Sequence, residues 1–395
     1  MPEQSPIGTR PPSLLFTAFE PSGDDHASAV IAELRGRYPD LVMHAWGGPK
    51  MRNAGAVVVE ATGEHAVMGV PGIQKILEHT KINQRIDEWL AKNPTTLHVP
   101  VDSPAANGPI CEIAKKHGCK VVHLVAPQIW AWGRWRIHKL RRMTDLVLCM
   151  FPFEVRFFGD RRVPAKFIGH FLFDKELDSS ALAARSAGFG SGTPKIAMMP
   201  GSRPHELEVH FPVLLDVFEQ LQRVYPGISG VVAATTGRVA ENLRKVGEAR
   251  VGGWPKNLTI VTTDTDAVVH WCDLAIVKSG TVTLQVAKQL KPMVVFYRRS
   301  NPVLFLIARA FLSTKVFSLP NVLAHKRIIP ELIPHFGGAG PIVKNVLKVL
   351  RSPELMQKQR DDLAEVTRPL RGLHAASAAA DAIEEVIGLR RDAKT

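Results

Sequence analysis

Cysteine is scarce in this chain of 395 residues. Four cysteines stand at positions 111, 119, 149 and 272, too few and too scattered for a disulfide scaffold or a zinc site. They indicate a reducing compartment and hence a cytoplasmic protein. The first 13 residues lack the apolar core of a signal peptide, so we interpret them as a short flexible leader.

Long apolar runs are also missing. A membrane-spanning helix needs about 20 apolar residues, whereas the most apolar stretch, residues 302–312, is interrupted by Arg309. Acidic side chains are under-represented: the chain has 37 Asp and Glu but 50 Lys and Arg, which gives a formal net charge of +13. This excess favours anionic partners, namely nucleic acid, phosphorylated substrates or an acidic membrane face, without choosing among them.

Short β-branched or apolar runs alternate with helical patterns along the chain. The runs predicted as strands are residues 14–19, 97–101, 121–125, 146–151, 166–169, 196–199, 230–234, 258–261, 274–277 and 293–297. Strands that alternate with helices form βαβ units and parallel sheets. We therefore predict an α/β protein of two doubly wound, Rossmann-like domains facing a cleft, with ligands at the carboxyl ends of both sheets.

The domain boundaries follow from composition. A Gly/Ser-rich break at residues 187–194 separates two similar halves. We predict the leader over residues 1–13, an N-terminal Rossmann-like domain over 14–186 and a C-terminal one over 187–350. Residues 351–395 are predicted as helices that pack back on the N-terminal domain or on a partner.

An acidic loop, residues 20–25, follows the first predicted strand. Its charge makes it a poor phosphate cradle, so we predict that Glu20 and Ser22 hydrogen-bond to substrate hydroxyls. The alternative is a tight turn in which Ser22, Asp24 or Asp25 caps the next helix. The apolar residues of that helix share one face: Ala27, Val30, Ile31 and Leu34.

Asp102 ends a predicted strand and stands two residues before Pro104. A carboxylate at this end of a strand is a candidate general base, and a turn aspartate is the alternative.

Asp264 and Asp266 have the spacing of a metal-binding pair of carboxylates. Because they directly precede an apolar helix, helix capping explains them better, and no metal site is predicted.

The Arg203 turn, residues 200–203, opens the second half. Its small residues let backbone amides approach a phosphate, and the guanidinium of Arg203 can bind two phosphate oxygens, so we predict a diphosphate clamp. The alternative is an ion pair of Arg203 with Glu206 or Glu208. We predict Pro212 in the first turn of the helix that follows.

A further strand-to-helix turn, the hydroxyl turn, consists of Ser279, Gly280 and Thr281. Its hydroxyl and amide donors stand where a second phosphate or ribose contact is expected. Together, the three turns indicate ligand binding more strongly than any one of them does.

Residues 130–142, the basic aromatic segment, read WAWGRWRIHKLRR. This composition suits an anionic membrane surface or single-stranded nucleic acid, and a solvated helix flank is the third alternative. Nucleic-acid binding rests on charge and this segment alone, so we do not predict it.

Several short motifs appear in a fixed order over roughly residues 14 to 335: EPSGD (20–24), GGPKM (47–51), AVMGV (66–70), VDSP (101–104), WAW (130–132), FIGH (167–170), PGSR (200–203), SGT (279–281) and SLPN (318–321). As an ordered set they resemble the lipid-A-disaccharide synthase family, inverting glycosyltransferases of the two-domain GT-B type.

The resemblance implies a reaction at a membrane surface. A UDP-sugar donor, UDP-2,3-diacylglucosamine, would be bound by the C-terminal domain, and an acylated sugar phosphate acceptor, 2,3-diacylglucosamine 1-phosphate, by the N-terminal domain. The products would be UDP and a β(1→6)-linked disaccharide. It further implies no metal or other cofactor, a peripheral location on the inner face of the cytoplasmic membrane, and the option of a homodimer.

The resemblance also assigns residues. Asp102 matches the family's proposed base, and Arg203 matches an essential arginine that we expect at the diphosphate. The positions expected to bind substrate are Glu20, Ser22, Ser202, Ser279, Gly280, Thr281, Gln285, Arg298 and Asn321.

The chain departs from the family pattern at several positions: Phe19, Ala105, Ala106, Gln285, His325, Lys326 and Pro334. Gln285 replaces a glutamate expected at the ribose of UDP. These changes favour an alternative, a non-catalytic or diverged UDP-sugar or glycolipid-binding homologue, whereas Asp102 and Arg203 favour an active enzyme. A nucleotide-sugar epimerase would need further acid–base pairs that we do not identify.

Overall fold

The computed structural model describes residues 11–62, 73–298 and 312–389. These residues divide into two compact units. The first unit comprises the described residues up to Asp174 together with those from Gly372 onward, and the second comprises those within Lys175–Arg371.

The first unit is built on a parallel sheet, which has seven strands within the described ranges. In chain order they are β1 (Ser13–Ala18), β2 (Val42–Gly47), β3 (Val57–Ala61), β4 (Leu97–Val101), β5 (Lys120–Leu124), β6 (Leu146–Cys149) and β7 (Ala165–Phe167). Their order across the sheet is β3-β2-β1-β4-β5-β6-β7. The chain therefore winds outward from β1 in one direction and then from β4 in the other, as in a doubly wound fold.

The second unit repeats this topology with six parallel strands among its described residues. They are β8 (Lys195–Met199), β9 (Ser229–Ala234), β10 (Leu258–Thr262), β11 (Leu274–Lys278), β12 (Met293–Arg298) and β13 (Glu331–His335). The order β10-β9-β8-β11-β12-β13 reverses between β8 and β11. The fold class predicted from the alternating pattern, two Rossmann-like α/β domains, is confirmed.

Helices cover the sheets. Those described are α1 (Pro21–Arg37), α2 (Pro49–Asn53), α3 (Ile73–Lys92), α4 (Pro104–Lys116), α5 (Ile137–Met143), α6 (Pro152–Gly159), α7 (Ser179–Ser186), α8 (Pro204–Val224), α9 (Gly237–Glu248), α10 (Thr265–Trp271), α11 (Val282–Lys288), α12 (Leu319–Leu323), α13 (Gly340–Leu350), α14 (Pro353–Thr367) and α15 (Ala375–Ile387). The predicted apolar face of α1 is buried in full. Strands such as β4 are buried on both faces, which explains their unbroken apolar sequence.

Helix α8 begins earlier than predicted. Its first residue is Pro204, directly after the extended Arg203, and Pro212 lies inside the helix. The prediction for Pro212 was wrong because Pro204 already occupies the favourable first-turn position. The helix continues past Pro212, and its apolar face is buried against the second sheet.

The units divide at Asp174 rather than after residue 186. Helix α7 belongs to the second unit: Arg185 forms an ion pair with Asp264 at 3.2 Å, just before α10. At the C-terminus, only the residues from Gly372 onward join the first unit. There α15 packs on α1, and Arg37 binds Asp381 and Glu384 at 2.6 Å each, whereas α14 stays with the second unit.

The four cysteines are buried thiols without disulfides. Among the described residues, no helix combines the length and apolarity required to cross a bilayer.

Candidate functional site

Each unit has a point at which its strand order reverses, and ligands of doubly wound folds bind beside such a point, at the carboxyl ends of the strands. In the first unit the reversal lies between β1 and β4. The acidic loop follows β1, and Asp102 follows β4. The loop and the end of β4 are close, since a β-carbon at Gly23 would lie 3.5 Å from the carbonyl oxygen of Val101.

The acidic loop predicted over residues 20–25 is a loop only at Glu20, because Pro21 to Asp25 form the start of α1. Ser22 is exposed and Glu20 is half-buried. Neither Ser22 nor the aspartates cap α1, which has no side-chain cap; that alternative was wrong. The carboxylate of Asp24 instead accepts hydrogen bonds from the backbone N–H groups at the start of α2, those of Gly48, Lys50 and Met51, each at 3.1 Å. Buried Asp24 therefore anchors the start of α1 to α2, with Ser22 exposed beside it.

Asp102 lies in strained backbone. Its φ is 49°, and that of Ser103 is 42°, a region that non-glycine residues rarely adopt. Asn107, fully buried on α4, donates from Nδ2 to the carbonyl oxygens of Val101 (3.1 Å) and Asp102 (2.8 Å). Its Oδ1 accepts a hydrogen bond from Thr17 Oγ1 at 2.7 Å. A buried amide thus holds the backbone that presents the Asp102 carboxylate.

His26, on α1, is a neighbour of Asp102 that the sequence patterns did not single out. Burial lowers the pKa of His26, and the negative charges of Asp102, Asp25 and Asp174 oppose that shift. The ring stacks on Phe171 at a centroid distance of 4.6 Å. A histidine directly after the acidic residues would have been the clue.

In the second unit the strand order reverses between β8 and β11. The Arg203 turn follows β8, and the hydroxyl turn follows β11, so the predicted residues of both turns flank this one point. Gly201 has φ +111°, and a β-carbon there would lie 2.8 Å from Glu206 Oε2. The turn therefore requires glycine, and it brings the backbone against Glu206.

Glu206 is the partner of two cations. Arg203, whose side chain is 64% exposed, lies 3.5 Å from Glu206, which was the alternative considered for this arginine. A closer pair forms between Glu206 and Lys278, the last residue of β11, at 2.7 Å. Burial alone would raise the pKa of Glu206, but the hydrogen bond and charge of Lys278, with the charge of Arg203, outweigh it and lower the pKa. Lys278, a lysine ending an apolar strand, was missed in the sequence.

Arg298 ends β12 at the same edge of the sheet. Its backbone N–H donates to His210 Nε2 at 3.1 Å, and its guanidinium lies 3.4 Å from the carbonyl oxygen of Val209. Because Nε2 of His210 accepts, Nδ1 carries the proton and donates to the carbonyl oxygen of Glu206 at 2.6 Å. Arg298 is thereby attached to the first turns of α8.

Gln285 and Asn321 are engaged elsewhere in the unit. Gln285 Nε2 donates to Asp266 Oδ1 at 2.8 Å. Asn321 is fully buried: its Nδ2 donates to Glu331 and to Ile329, and its Oδ1 accepts two backbone N–H groups. The amide of Asn321 is saturated within the chain. These hydrogen bonds hold the turn after α12, and direct contact of Asn321 with substrate stays a prediction.

No cluster of three or more His, Cys, Asp or Glu suitable for a metal ion occurs in the part of the chain that the structure describes. Asp264 caps α10 by accepting the N–H of Ala267 at 3.2 Å, so the capping prediction for Asp264 is confirmed. The motif residues 66–70 lie outside the described residues.

The basic aromatic segment follows β5. Trp130 is buried, and its Nε1 donates to Glu154 at 2.9 Å. Trp132 and Trp135 are 48% and 59% exposed, and the guanidinium of Arg136 lies 3.9 Å above the Trp132 ring. The segment thus has one anchored tryptophan and two exposed ones among its cations.

Comparison with known proteins identifies the family. The model of the lipid-A-disaccharide synthetase family matches residues 14–386. The lipid-A-disaccharide synthase of Geobacter sulfurreducens is 31% identical over 385 residues, 95% of this chain and 97% of the relative. Two solved structures share the fold: an S. aureus MnaA–UDP co-structure (TM-score 0.66, 8% identity, 97% of this chain and 99% of that one) and the calicheamicin glycosyltransferase CalG4 (TM-score 0.62, 14% identity, 97% and 100%). The chain belongs to the lipid-A-disaccharide synthetase family.

Proposed function

We propose that this protein is a glycosyltransferase of lipid A biosynthesis. It joins UDP-2,3-diacylglucosamine to 2,3-diacylglucosamine 1-phosphate and releases UDP and lipid A disaccharide 1-phosphate. The observation that carries the proposal is that the family match over residues 14–386 includes both reversal points, each with polar side chains at the carboxyl ends of its strands.

The first unit binds the acceptor. Asp102 removes the proton of the acceptor's 6-hydroxyl, a role that suits a carboxylate at the end of β4. Glu20 and Ser22, at the neighbouring start of α1, hydrogen-bond to the sugar hydroxyls. Because the acidic residues fit a phosphate poorly, they bind the sugar hydroxyls of the acceptor and not its 1-phosphate.

The second unit binds the donor. Arg203, Ser202 and the hydroxyl turn bind the diphosphate and ribose, with Gln285 and Arg298 beside them. The acceptor oxygen attacks the anomeric carbon while the bond to the diphosphate breaks, and the electron pair of that bond leaves on the phosphate oxygen. Arg203 stabilises the charge that develops there. Attack opposite the leaving group inverts the anomeric centre and gives a β(1→6) linkage, without a metal ion.

The test is a UDP-release assay with the purified protein, both acylated substrates and EDTA. We expect release of UDP in EDTA and a β-linked product by NMR. Asp102→Asn keeps the shape of the side chain but cannot accept the proton, so turnover should fall by roughly 10²–10⁴-fold with unchanged UDP affinity. Arg203→Ala should impair both turnover and UDP affinity.

Full activity of Asp102→Asn would reject Asp102 as the base. Binding of UDP by the wild type without any release would reject the enzyme and support a diverged UDP-sugar-binding protein. Asp40→Asn, at an exposed aspartate between α1 and β2, is the matched control and should retain full turnover.

We further propose that the protein works in the cytoplasm as a peripheral protein on the inner face of the membrane, with the basic aromatic segment as its contact. Exposed tryptophans favour the bilayer interface, and each cation near an anionic surface contributes about 1 kcal/mol. Trp132 and Trp135 combine both features with the adjacent arginines.

Vesicle co-sedimentation tests this contact. The triple variant Arg134→Gln, Arg141→Gln, Arg142→Gln should bind vesicles containing anionic lipid at least tenfold more weakly than the wild type, because it loses three positive charges. Changing Arg351, Arg360 and Arg368 of the second unit to glutamine, of which Arg360 is half-buried and the other two are exposed, removes the same charge and should have less effect. Equal loss in both triple variants would show a net-charge effect and reject the segment.

A further inference from the structure

Lys278 lies between the two turns that flank the reversal point of the second unit. A β-carbon at Gly201, in the Arg203 turn, would lie 3.4 Å from Lys278 Cδ. A β-carbon at Gly280, in the hydroxyl turn, would lie 3.8 Å from Lys278 Nζ. The ammonium group is therefore positioned where both turns converge.

The surroundings of this lysine are unusual for a buried charge. Its side chain is 11% exposed, and that of its partner Glu206 is 4% exposed. One hydrogen bond, at 2.7 Å, joins Nζ to Glu206, and the Tyr297 ring lies 5.1 Å from Nζ. An ammonium group has three N–H donors, so the Glu206 bond leaves donor capacity beside the hydroxyl turn.

Two further cations lie near the pair. Arg203 and Lys278 both contact Glu206, and Arg298 is attached to the same helix start through His210. Three cations thus share this edge of the second unit with Glu206. A group of cations at the carboxyl ends of the strands is suited to an anionic group such as a diphosphate.

We propose that Lys278 is a second cationic ligand of the nucleotide diphosphate, and that Glu206 is its resident counter-anion. The inference rests on the proposed donor site and adds a residue to it. Glu206 balances the buried ammonium group and holds it between the turns. A bound diphosphate takes over part of that balancing, and its negative charge is repelled by Glu206, which limits the affinity for UDP.

A purely structural role makes different predictions. If the pair only connects β11 to α8, its loss lowers stability equally with and without nucleotide and leaves UDP affinity unchanged. If Lys278 binds phosphate, its loss weakens the binding of UDP but not of uridine, which carries no phosphate.

Calorimetric titration of the full chain with UDP and with uridine separates these roles. The variants are Glu206→Gln and the double variant Lys278→Met, Glu206→Gln, which differ only in Lys278 and leave no buried carboxylate unpaired. We expect UDP to bind the double variant roughly tenfold to a hundredfold more weakly than Glu206→Gln, the effect of one charge-assisted hydrogen bond, with uridine binding unchanged. Lys291→Met removes another half-buried lysine, bonded to the carbonyls of His270 and Cys272, and should leave both affinities unaltered.

Thermal unfolding tests the role of Glu206. In Glu206→Gln the ammonium group of Lys278 loses its counter-anion, so Tm should fall without nucleotide, and UDP should raise Tm by more than in the wild type. Equal UDP-induced Tm shifts in Glu206→Gln and the wild type, or equal UDP affinity of Glu206→Gln and the double variant, would overturn the proposal.

If Glu206→Gln does not fold, the double variant is compared with the wild type, and unchanged UDP affinity again overturns the proposal. A wild type that binds neither UDP nor uridine would instead reject the proposed donor site itself.

Discussion

At the scale of single residues, Asp102 owes its position to a buried amide. Two consecutive residues with positive φ cost about 1–3 kcal/mol each, and the hydrogen bonds of Asn107 to the carbonyls of Val101 and Asp102 offset that cost. Thr17 has one hydroxyl proton, which it donates to Asn107, so it accepts from His98 Nε2 at 2.8 Å. Burial, with the nearby His123, lowers the pKa of His98 to about 3, which keeps this ring neutral.

Asn107→Asp tests this arrangement because it preserves shape and removes both N–H donors. The carboxylate would face two carbonyl oxygens, so the backbone of Asp102 should relax and misplace the base. We expect kcat to fall roughly 10–100-fold, the cost of a misplacement of about 1 Å, with little change in KM for the UDP-sugar. Steady-state UDP release measures both parameters.

Asn93→Asp is the matched control for this change. Asn93 donates to the carbonyl oxygen of Trp89 at 2.8 Å beyond the end of α3, so its replacement should leave kcat within about twofold of the wild type. An Asn107→Asp enzyme with wild-type kcat would show that Asn107 does not position the base.

Part of the candidate site was predictable because doubly wound folds bring strand ends together. Polar residues within four positions of a strand end, such as Ser22, Asp102 and Arg203, could therefore be chosen as candidates from sequence. Side chains whose partners come from distant parts of the chain could not. Gln285 binds Asp266 of α10, and that contact depends on the packing of two helices.

At the scale of helices and strands, the sequence predicted best those strands whose two faces are both buried. Strands buried on both faces, such as β4, are unbroken apolar runs. β2, β3 and β13 were missed because His44 interrupts β2, β3 is half exposed, and β13 contains Glu331 and Pro334. As an edge strand, β13 tolerates proline. The Gly/Ser-rich break suggested a boundary after residue 186, but packing of α7 on α10 places the boundary at Asp174.

At the scale of the whole molecule, buried titratable groups set the response of stability to pH. Burial lowers the pKa of His123 to about 4 and that of His170, with the charge of His26, to about 3. Such depressed histidines, His98 among them, contribute stability that is present above pH 6.5 and lost as the pH falls. Glu154 has the opposite effect on the pH dependence of stability. Burial raises its pKa to about 7, although Trp130 and Phe151 donate hydrogen bonds to it.

The sign for Glu154 follows from proton counts. Between pH 4.5 and about 7 the folded chain holds a proton on Glu154 that the unfolded chain has lost, so this residue makes the protein less stable as the pH rises. Glu154→Gln removes that dependence while keeping an acceptor for Trp130. The free energy of unfolding of Glu154→Gln minus that of the wild type should therefore increase by roughly 3 kcal/mol from pH 4.5 to 7, measured by urea unfolding followed by tryptophan fluorescence. Glu88→Gln, at an exposed position of α3, should show a nearly constant difference. A constant difference for Glu154→Gln as well would mean that Glu154 is ionised in the folded protein throughout this range, and that its charge is balanced by groups other than the two N–H donors.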